Sequence, residues 1–396
     1  MDGRLILPGC LHPRETPSVS LLQLGLGWFP ETHGGAENVF YHLARHLPHQ
    51  GVAVAGLVLG RASAVLDGGA RIDSFAPPTA PLPQRLAAAR AAVAAALRRQ
   101  PPDLVASHFA LNTLPALPAL RDRPLVVHFH GPWALESAAE GAGALSVRLK
   151  LLVERLVYRR ATRFVVLSRA FATILTERYG VPPDRISRVP GGVDAGRFDL
   201  PDDRAAARAR LGWPQGRPVV LTVRRLVRRM GLAALVDAMV ELCRRVPDAL
   251  LLVAGRGPEA AALQDRIGAL GLENHVRLLG FVPDAQLPLA YRAADLCVMP
   301  SQSLEGFGIT ALESLAAGTP LLVTPVGGLP EVVEELDGDL VLAGSDARSI
   351  GAGLAEALIG SRRMPDAAAC RALVRHRFDW PVIAARTAAV YRDTLS

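Results

Sequence analysis

The chain has one lysine, Lys150, so its net charge of +7 over 396 residues is carried almost wholly by arginine. A basic balance suits nucleic acid, anionic lipid or a phosphorylated substrate, and by itself does not choose among them. Cysteine is scarce: Cys10, Cys243, Cys297 and Cys370 form no Cys-x-x-Cys pair, and no histidine cluster stands at zinc spacing. That excludes a disulfide scaffold and a structural zinc site, and implies reduced, unliganded thiols in a cytoplasmic chain. No apolar run approaches the ~18 residues of a membrane-spanning helix, and the first residues lack the apolar core of a signal peptide. Aromatic residues make up 5% of the chain while half of it is apolar, a balance that fits α/β layers of Ala, Leu and Val. The arginines are spread without an aromatic-lined strand face, which argues against a nucleic-acid partner. There is no repeat of solenoid period.

What is present is an alternation of strands and helices too long for one core, so two α/β domains are expected, each with a parallel sheet. Residues 1–18, with Pro8, Pro13 and Pro17, read as a loose leader. A first domain over 19–199 begins with a strand at Ser20 to Leu26 and continues through strands at Val52 to Leu59, Leu104 to Ser107 and Leu125 to Phe129. A second domain over 200–379 restarts the pattern at Pro218 to Val223, and a terminal helix occupies 380–396. Asp337-Gly338-Asp339 has the form of a metal-binding pair but sits where a turn is expected.

The most informative stretch is Ser301 to Gly318. The apolar run Asp295 to Met299 reads as a buried strand, and Ile309, Leu312, Leu315 and Ala316 recur at helical spacing. Between them lies a turn whose Gly306 and Gly308 let the backbone approach a ligand closely, while Ile309 and Thr310 open a helix whose free N–H groups suit phosphate oxygens. Glu305 in the turn and Glu313 in the helix are on the order of 10 Å apart at ~1.5 Å rise per residue, too far to work across one glycosidic bond. A long ligand would meet both, with Glu313 on a ribose and Glu305 on a group beyond the phosphates. A second basic turn, Arg224-Arg225-Leu226-Val227-Arg228-Arg229-Met230, lies between a strand end and a helix and forms a natural diphosphate clamp.

Glu305 and Glu313, with seven residues between them and Gly306-Phe307-Gly308 inside, resemble the Glu-x7-Glu signature of the retaining GT-B glycosyltransferases, in particular glycosyltransferase family 4 (glycosyl transferases group 1). Ala316 to Pro320 and Gly327 to Glu331 strengthen the likeness. It implies two Rossmann-like domains facing across a cleft, a nucleoside-diphosphate sugar as co-substrate with no further cofactor or metal, and transfer to an acceptor hydroxyl. A polysaccharide, a lipid-linked oligosaccharide or a secondary metabolite would serve equally as acceptor. By the same resemblance Gly34 and Gly35 close over the donor, His130 contacts its sugar, Arg225 grips the diphosphate, and Phe281 and Val282 edge the base. Gly255, at a strand end, joins the binding positions, as does Phe307. His128 reads as an interior residue, and His108 as a candidate for the acceptor side.

The family pattern is commonly Gly-Arg-Leu followed by Lys-Gly. Here Arg224 replaces the glycine and Met230 the lysine, so Arg229 or Arg228 must supply a second cation. His130, Arg225 and Glu305 are the candidate catalytic residues. The missing lysine contact leaves a catalytically silent nucleotide-sugar binder as the alternative, whereas a pyridoxal-phosphate phosphorylase would have to use Lys150, remote from this site. Ser146 to Ala161 is amphipathic, with Val147, Leu151, Leu152, Leu156 and Val157 assigned to its apolar side. It is expected on the surface of the first domain, packed by its leucines and solvated by its arginines; peripheral attachment to anionic membrane is the sharper alternative.

Overall fold

The computed structural model describes residues 19–396 except Pro30, His33, Ala62 and Asp337. The expected leader and the first residue of Asp337-Gly338-Asp339 lie outside the described residues; Gly338–Leu340 forms a single 3-10 turn.

The first sheet has eight strands: β1 (Val19–Leu24), β2 (Val52–Leu59), β3 (Ala64–Val65), β4 (Arg71–Ala76), β5 (Leu104–Ser107), β6 (Leu125–Phe129), β7 (Arg163–Val166) and β8 (Ile186–Arg188). Their order is β3-β4-β2-β1-β5-β6-β7-β8, parallel except for the β3–β4 pair. The central strands are runs of Val, Leu and Phe because helices cover both faces, and β5 and β6 are buried along their whole length. β3 and β4 escape the sequence pattern: one is two residues long and the other, Arg71-Ile72-Asp73-Ser74-Phe75-Ala76, mixes charge into the strand beside it.

The second sheet is wholly parallel: β9 (Val219–Val223), β10 (Leu250–Ala254), β11 (Val276–Gly280), β12 (Leu296–Met299) and β13 (Leu321–Val323), in the order β11-β10-β9-β12-β13. In both sheets the order reverses beside the first strand, between β1 and β5 and between β9 and β12. Crevices at such switch points are where open α/β sheets take ligands.

The chain passes between the domains twice. Val193 N–H donates to the Phe378 carbonyl at 2.9 Å, and the helix Trp380–Leu395 then seats Trp380, Ile383, Ala388 and Tyr391 in the core of the first domain.

The helix expected from Ser146 spans Ala144–Arg160 and is rotated relative to the sequence reading. Glu154, Val157 and Tyr158 face inward, while Leu152 and Leu156 are exposed. The cause is a buried carboxyl: Glu154 accepts from Tyr179 Oη at 2.8 Å and from the Ala134 N–H at 3.4 Å, which pins that face against the domain. Burial raises its pKa to about 7, against the lowering effect of those hydrogen bonds. The expectation that leucines pack this helix is therefore corrected.

Candidate active site

The two switch points face each other across a cleft of about 510 Å³. From the first domain it is lined by Gly34, Gly35, Glu37, His108, His130 and Glu136; from the second by Arg224, Arg225, Arg229 and Glu305 to Thr310. A smaller cavity of about 280 Å³ is lined by Asn38, Arg197, Asp284, Ile309, Glu313 and Trp380. Ile309 belongs to both walls, so the start of the helix Ile309–Ala316 separates two adjoining spaces, one holding Arg225 and the other Glu313. A larger hollow, about 1260 Å³, opens among Ser20, Val52 and Arg71 at the amino ends of β1, β2 and β4. That is the amino end of the parallel sheet, opposite the carboxyl end at which open α/β sheets take ligands.

The four arginines of the basic turn divide sharply. Arg225 and Arg228 are exposed, and Arg225 alone of these two lines the cleft. Arg224 is buried, with Nη2 against both Ser301 Oγ and Glu305 Oε2 and Nη1 3.3 Å from Thr310 Oγ1. Ser301 Oγ also donates to Glu305 Oε2 at 2.9 Å. Burial pushes the Glu305 carboxyl up, but the charge and hydrogen bonds of Arg224, helped by Ser301, outweigh it and hold the carboxyl below its usual range. Glu305, expected to touch the ligand beyond the phosphates, is thus the counterion of the arginine that replaces the family glycine.

Arg229, expected as the second phosphate cation, is also buried and already engaged. Its Nη1 donates to the Leu304 carbonyl at 3.1 Å, and its guanidinium lies 3.6 Å from both Glu136 and Glu140, reaching across the cleft to the first domain. Leu304 is the one non-glycine residue with positive φ (52°) among the described residues, so this bond holds a strained turn next to Glu305.

Two glycines shape the loops. Gly255 has φ 144°, and a Cβ there would stand 1.8 Å from the Arg224 carbonyl oxygen, so it seats the arginine turn. Gly327, φ 59°, does the same for the Glu305 turn, where a Cβ would meet the Glu305 carbonyl oxygen at 2.0 Å. Gly255 is absent from the cleft lining, as are Phe281 and Val282. Phe281 is exposed at the end of β11 with the Arg256 guanidinium 5.2 Å from its ring centroid. Gly306, Phe307 and Gly308 do line the cleft.

Glu313 is half-buried and accepts from Tyr291 Oη at 2.7 Å. Burial raises its pKa to about 7, opposed by that hydrogen bond. On the opposite wall, Glu37 is raised by burial, with its own backbone N–H and Arg225 opposing. Glu136 is likewise raised by burial against the charges of Arg229 and Arg225.

In the first-domain wall of the cleft three histidines stack at the ends of β5 and β6: His108 on His128 with centroids 4.3 Å apart, and His108 on His130 at 5.1 Å. Gln23 Nε2 faces His108 Nε2 at 3.1 Å, and His108 Nδ1 faces His130 Nε2 at 2.9 Å. With Gln23 assigned as donor, both histidines carry their proton on Nδ1, which leaves His130 Nδ1 as a buried donor without a partner among the described residues. His128 is tied to the terminal helix through Tyr391 Oη at 2.7 Å. Burial lowers the pKa of His130 to about 4, and burial with neighbouring histidine charge takes His108 and His128 well below their ordinary value. His42, stacked on Trp380, is lowered by burial to about 3.

The unfolded chain takes up protons on these rings near pH 6.5 while the fold does not, so their contribution is complete above that pH and is lost as pH falls through the folded values. Thermal melts should lose stability from pH 7 down to pH 4, by up to about 1.4 kcal/mol per pH unit for each ring. An unchanged Tm between pH 7 and pH 5 would contradict the buried neutral stack.

Two doubly wound domains, with switch points facing across an anion-friendly cleft, define the GT-B class of architecture. Residues 33–197 match the model of Glycosyltransferase Family 4 and residues 203–371 that of Glycosyl transferases group 1. A D-inositol 3-phosphate glycosyltransferase of Segniliparus rotundus is 36% identical over 74% of this chain and 66% of its own length, so this chain spans just under two thirds of that relative. One from Kineococcus radiotolerans is 34% identical over 73% of this chain and 71% of its own. Among solved structures, sucrose-phosphate synthase from Thermosynechococcus elongatus superposes with a TM-score of 0.77 at 22% identity, over 95% of this chain and 98% of that one, a likeness of fold. The chain belongs to glycosyltransferase family 4.

Proposed function

We propose that the chain is a retaining, metal-independent glycosyltransferase that moves a sugar from a nucleoside diphosphate to an acceptor hydroxyl. An inositol phosphate, named for its relatives, is the first acceptor to test. The observation that carries the reading is the convergence of Arg225, the first turn of the helix Ile309–Ala316 and His130 on one cleft. Guanidinium and helix N–H groups oriented in advance towards developing phosphate charge supply what a metal would otherwise supply.

The donor diphosphate would lie at Arg225, Ile309 and Thr310, with the ribose reaching Glu313 past Ile309. The sugar would lie under Gly34–Gly35 and His130, whose Nδ1–H donates to a sugar hydroxyl. Among the described residues of the cleft wall, Glu305 is paired with Arg224 and Glu136 with Arg229, so neither carboxylate is a free nucleophile, and burial raises the pKa of Glu37. The acceptor oxygen therefore attacks on the face from which the phosphate leaves, and its proton passes to the departing phosphate oxygen. Approach of the two domains would exclude water from this step.

Incubation with UDP-glucose and GDP-mannose, with and without inositol 3-phosphate in the presence of EDTA, tests the reading. The expected result is acceptor-stimulated nucleotide release that resists EDTA, and a product whose anomeric proton keeps the donor's configuration by NMR. Inversion would refute the mechanism. Thermal stabilisation by the donors, with no release for any acceptor hydroxyl supplied, would identify a silent nucleotide-sugar binder instead.

A further inference from the structure

The outward face of the helix Ala144–Arg160 is a ridge of leucines with no partner among the described residues. Leu145, Leu149, Leu152 and Leu156 are 72%, 55%, 53% and 42% exposed. Their spacing of four, three and four residues puts them on one stripe, at ~100° per residue within about 60° of arc. Arg148, Arg155 and Arg159 are exposed along one margin of the stripe. The helix has a single acidic residue, Glu154, and that is turned inward. A stripe of leucine edged by guanidinium, with no carboxylate of its own helix facing out, matches the interface of an anionic bilayer in both polarity and sign.

The same helix walls the proposed active site from behind. Glu154 lines the cleft, and Lys150 Nζ donates to Ser137 Oγ at 2.6 Å and lies 5.0 Å from the centroid of Trp133, another cleft residue. We infer that the Leu145–Leu156 ridge docks the protein on an anionic lipid surface, holding the cleft beside acceptors carried in that surface. The acceptor half of this statement rests on the glycosyl-transfer reading; the docking half does not.

The test is cosedimentation of the whole chain, without substrates, with vesicles of phosphatidylcholine alone or mixed with phosphatidylglycerol. Binding is expected to the mixed vesicles only, and to vanish at high salt. Arg148→Gln with Arg155→Gln should weaken it roughly 30-fold, about five-fold per arginine. Leu149→Gln with Leu152→Gln should weaken it at least tenfold. All four side chains are exposed, so Tm should hold, and acceptor-stimulated nucleotide release with a soluble acceptor should be unchanged in both variants. Equal binding to both vesicle types, no binding, or binding untouched by the substitutions overturns the inference. So does a dimer in sedimentation velocity that the leucine variant dissolves without any vesicle binding, which would assign the ridge to a second copy of the chain. Failure of the transfer reading shows separately, as absence of nucleotide release in the vesicle-free assay.

Discussion

Arg225→Ala is expected to lower kcat/KM for sugar transfer by roughly 30- to 1000-fold, the equivalent of about 2 to 4 kcal/mol of lost transition-state stabilisation. The large effect follows from how the four arginines are disposed. Arg224 is committed to Glu305 and Arg229 to Leu304, Glu136 and Glu140, so neither guanidinium is at liberty to replace the missing charge. Arg225 lines the cleft and has no ion pair within 4 Å among the described residues. Charge that builds on the departing diphosphate is then met by the helix start at Ile309 alone. Because Arg225 is exposed and its side chain makes no hydrogen bond or ion pair among the described residues, the variant should keep its Tm. A folded Arg225→Ala protein with wild-type kcat/KM would remove this residue from the reaction.

Arg224→Gly, which restores the residue common in the family, is expected to destabilise rather than to improve the protein. It strands Glu305 in a buried site with Ser301 as its remaining side-chain hydrogen-bond partner among the described residues, and breaking one side of a buried pair costs about 3 to 5 kcal/mol. At about 2 to 4 °C per kcal/mol for a domain of this size, Tm should fall by roughly 6 to 20 °C. The pH dependence has a definite sign. In the native pair the Glu305 carboxyl titrates low, so its stabilisation is present above the unfolded pKa near 4.5 and is lost as pH falls through the lower folded value. Without Arg224, burial pushes the carboxyl up, and the deficit should be largest at alkaline pH and shrink as Glu305 takes a proton. The double substitution Arg224→Gly with Glu305→Gln should recover most of the loss, since neither charge is then buried alone. Equal melting of Arg224→Gly and wild type at pH 8 would show that the pair holds nothing together.

The residue pattern made the parallel sheets visible because strands covered on both faces become unbroken runs of Val and Leu, as in β5, β6 and β10. It missed β4, which lies beside the two-residue edge strand β3 and whose Arg71 and Asp73 pair with each other. It located the helix start at Ile309 and the basic turn after β9, both of which line the cleft. It could not rank four neighbouring arginines, since which of them is buried depends on Glu305, Glu136 and Glu140 arriving from elsewhere in the chain. Glu136 and Glu140 carry no local signal at all; they matter because the fold sets their helix against Arg229. Phe281 and Gly255 were read by position in a motif, and the fold puts the first in solvent and the second under Arg224.

Two α/β domains, their order, and the turns that carry arginine and glutamate follow from the amino-acid sequence alone, because hydrophobic periodicity and glycine placement act over a few residues. Which charges neutralise one another, and which face of the helix Ala144–Arg160 meets water, were decided only by the tertiary structure. A buried Glu305 must find Arg224 eighty-one positions away, and a buried Glu154 must find Tyr179, and these pairings turn the neighbouring side chains outward with them.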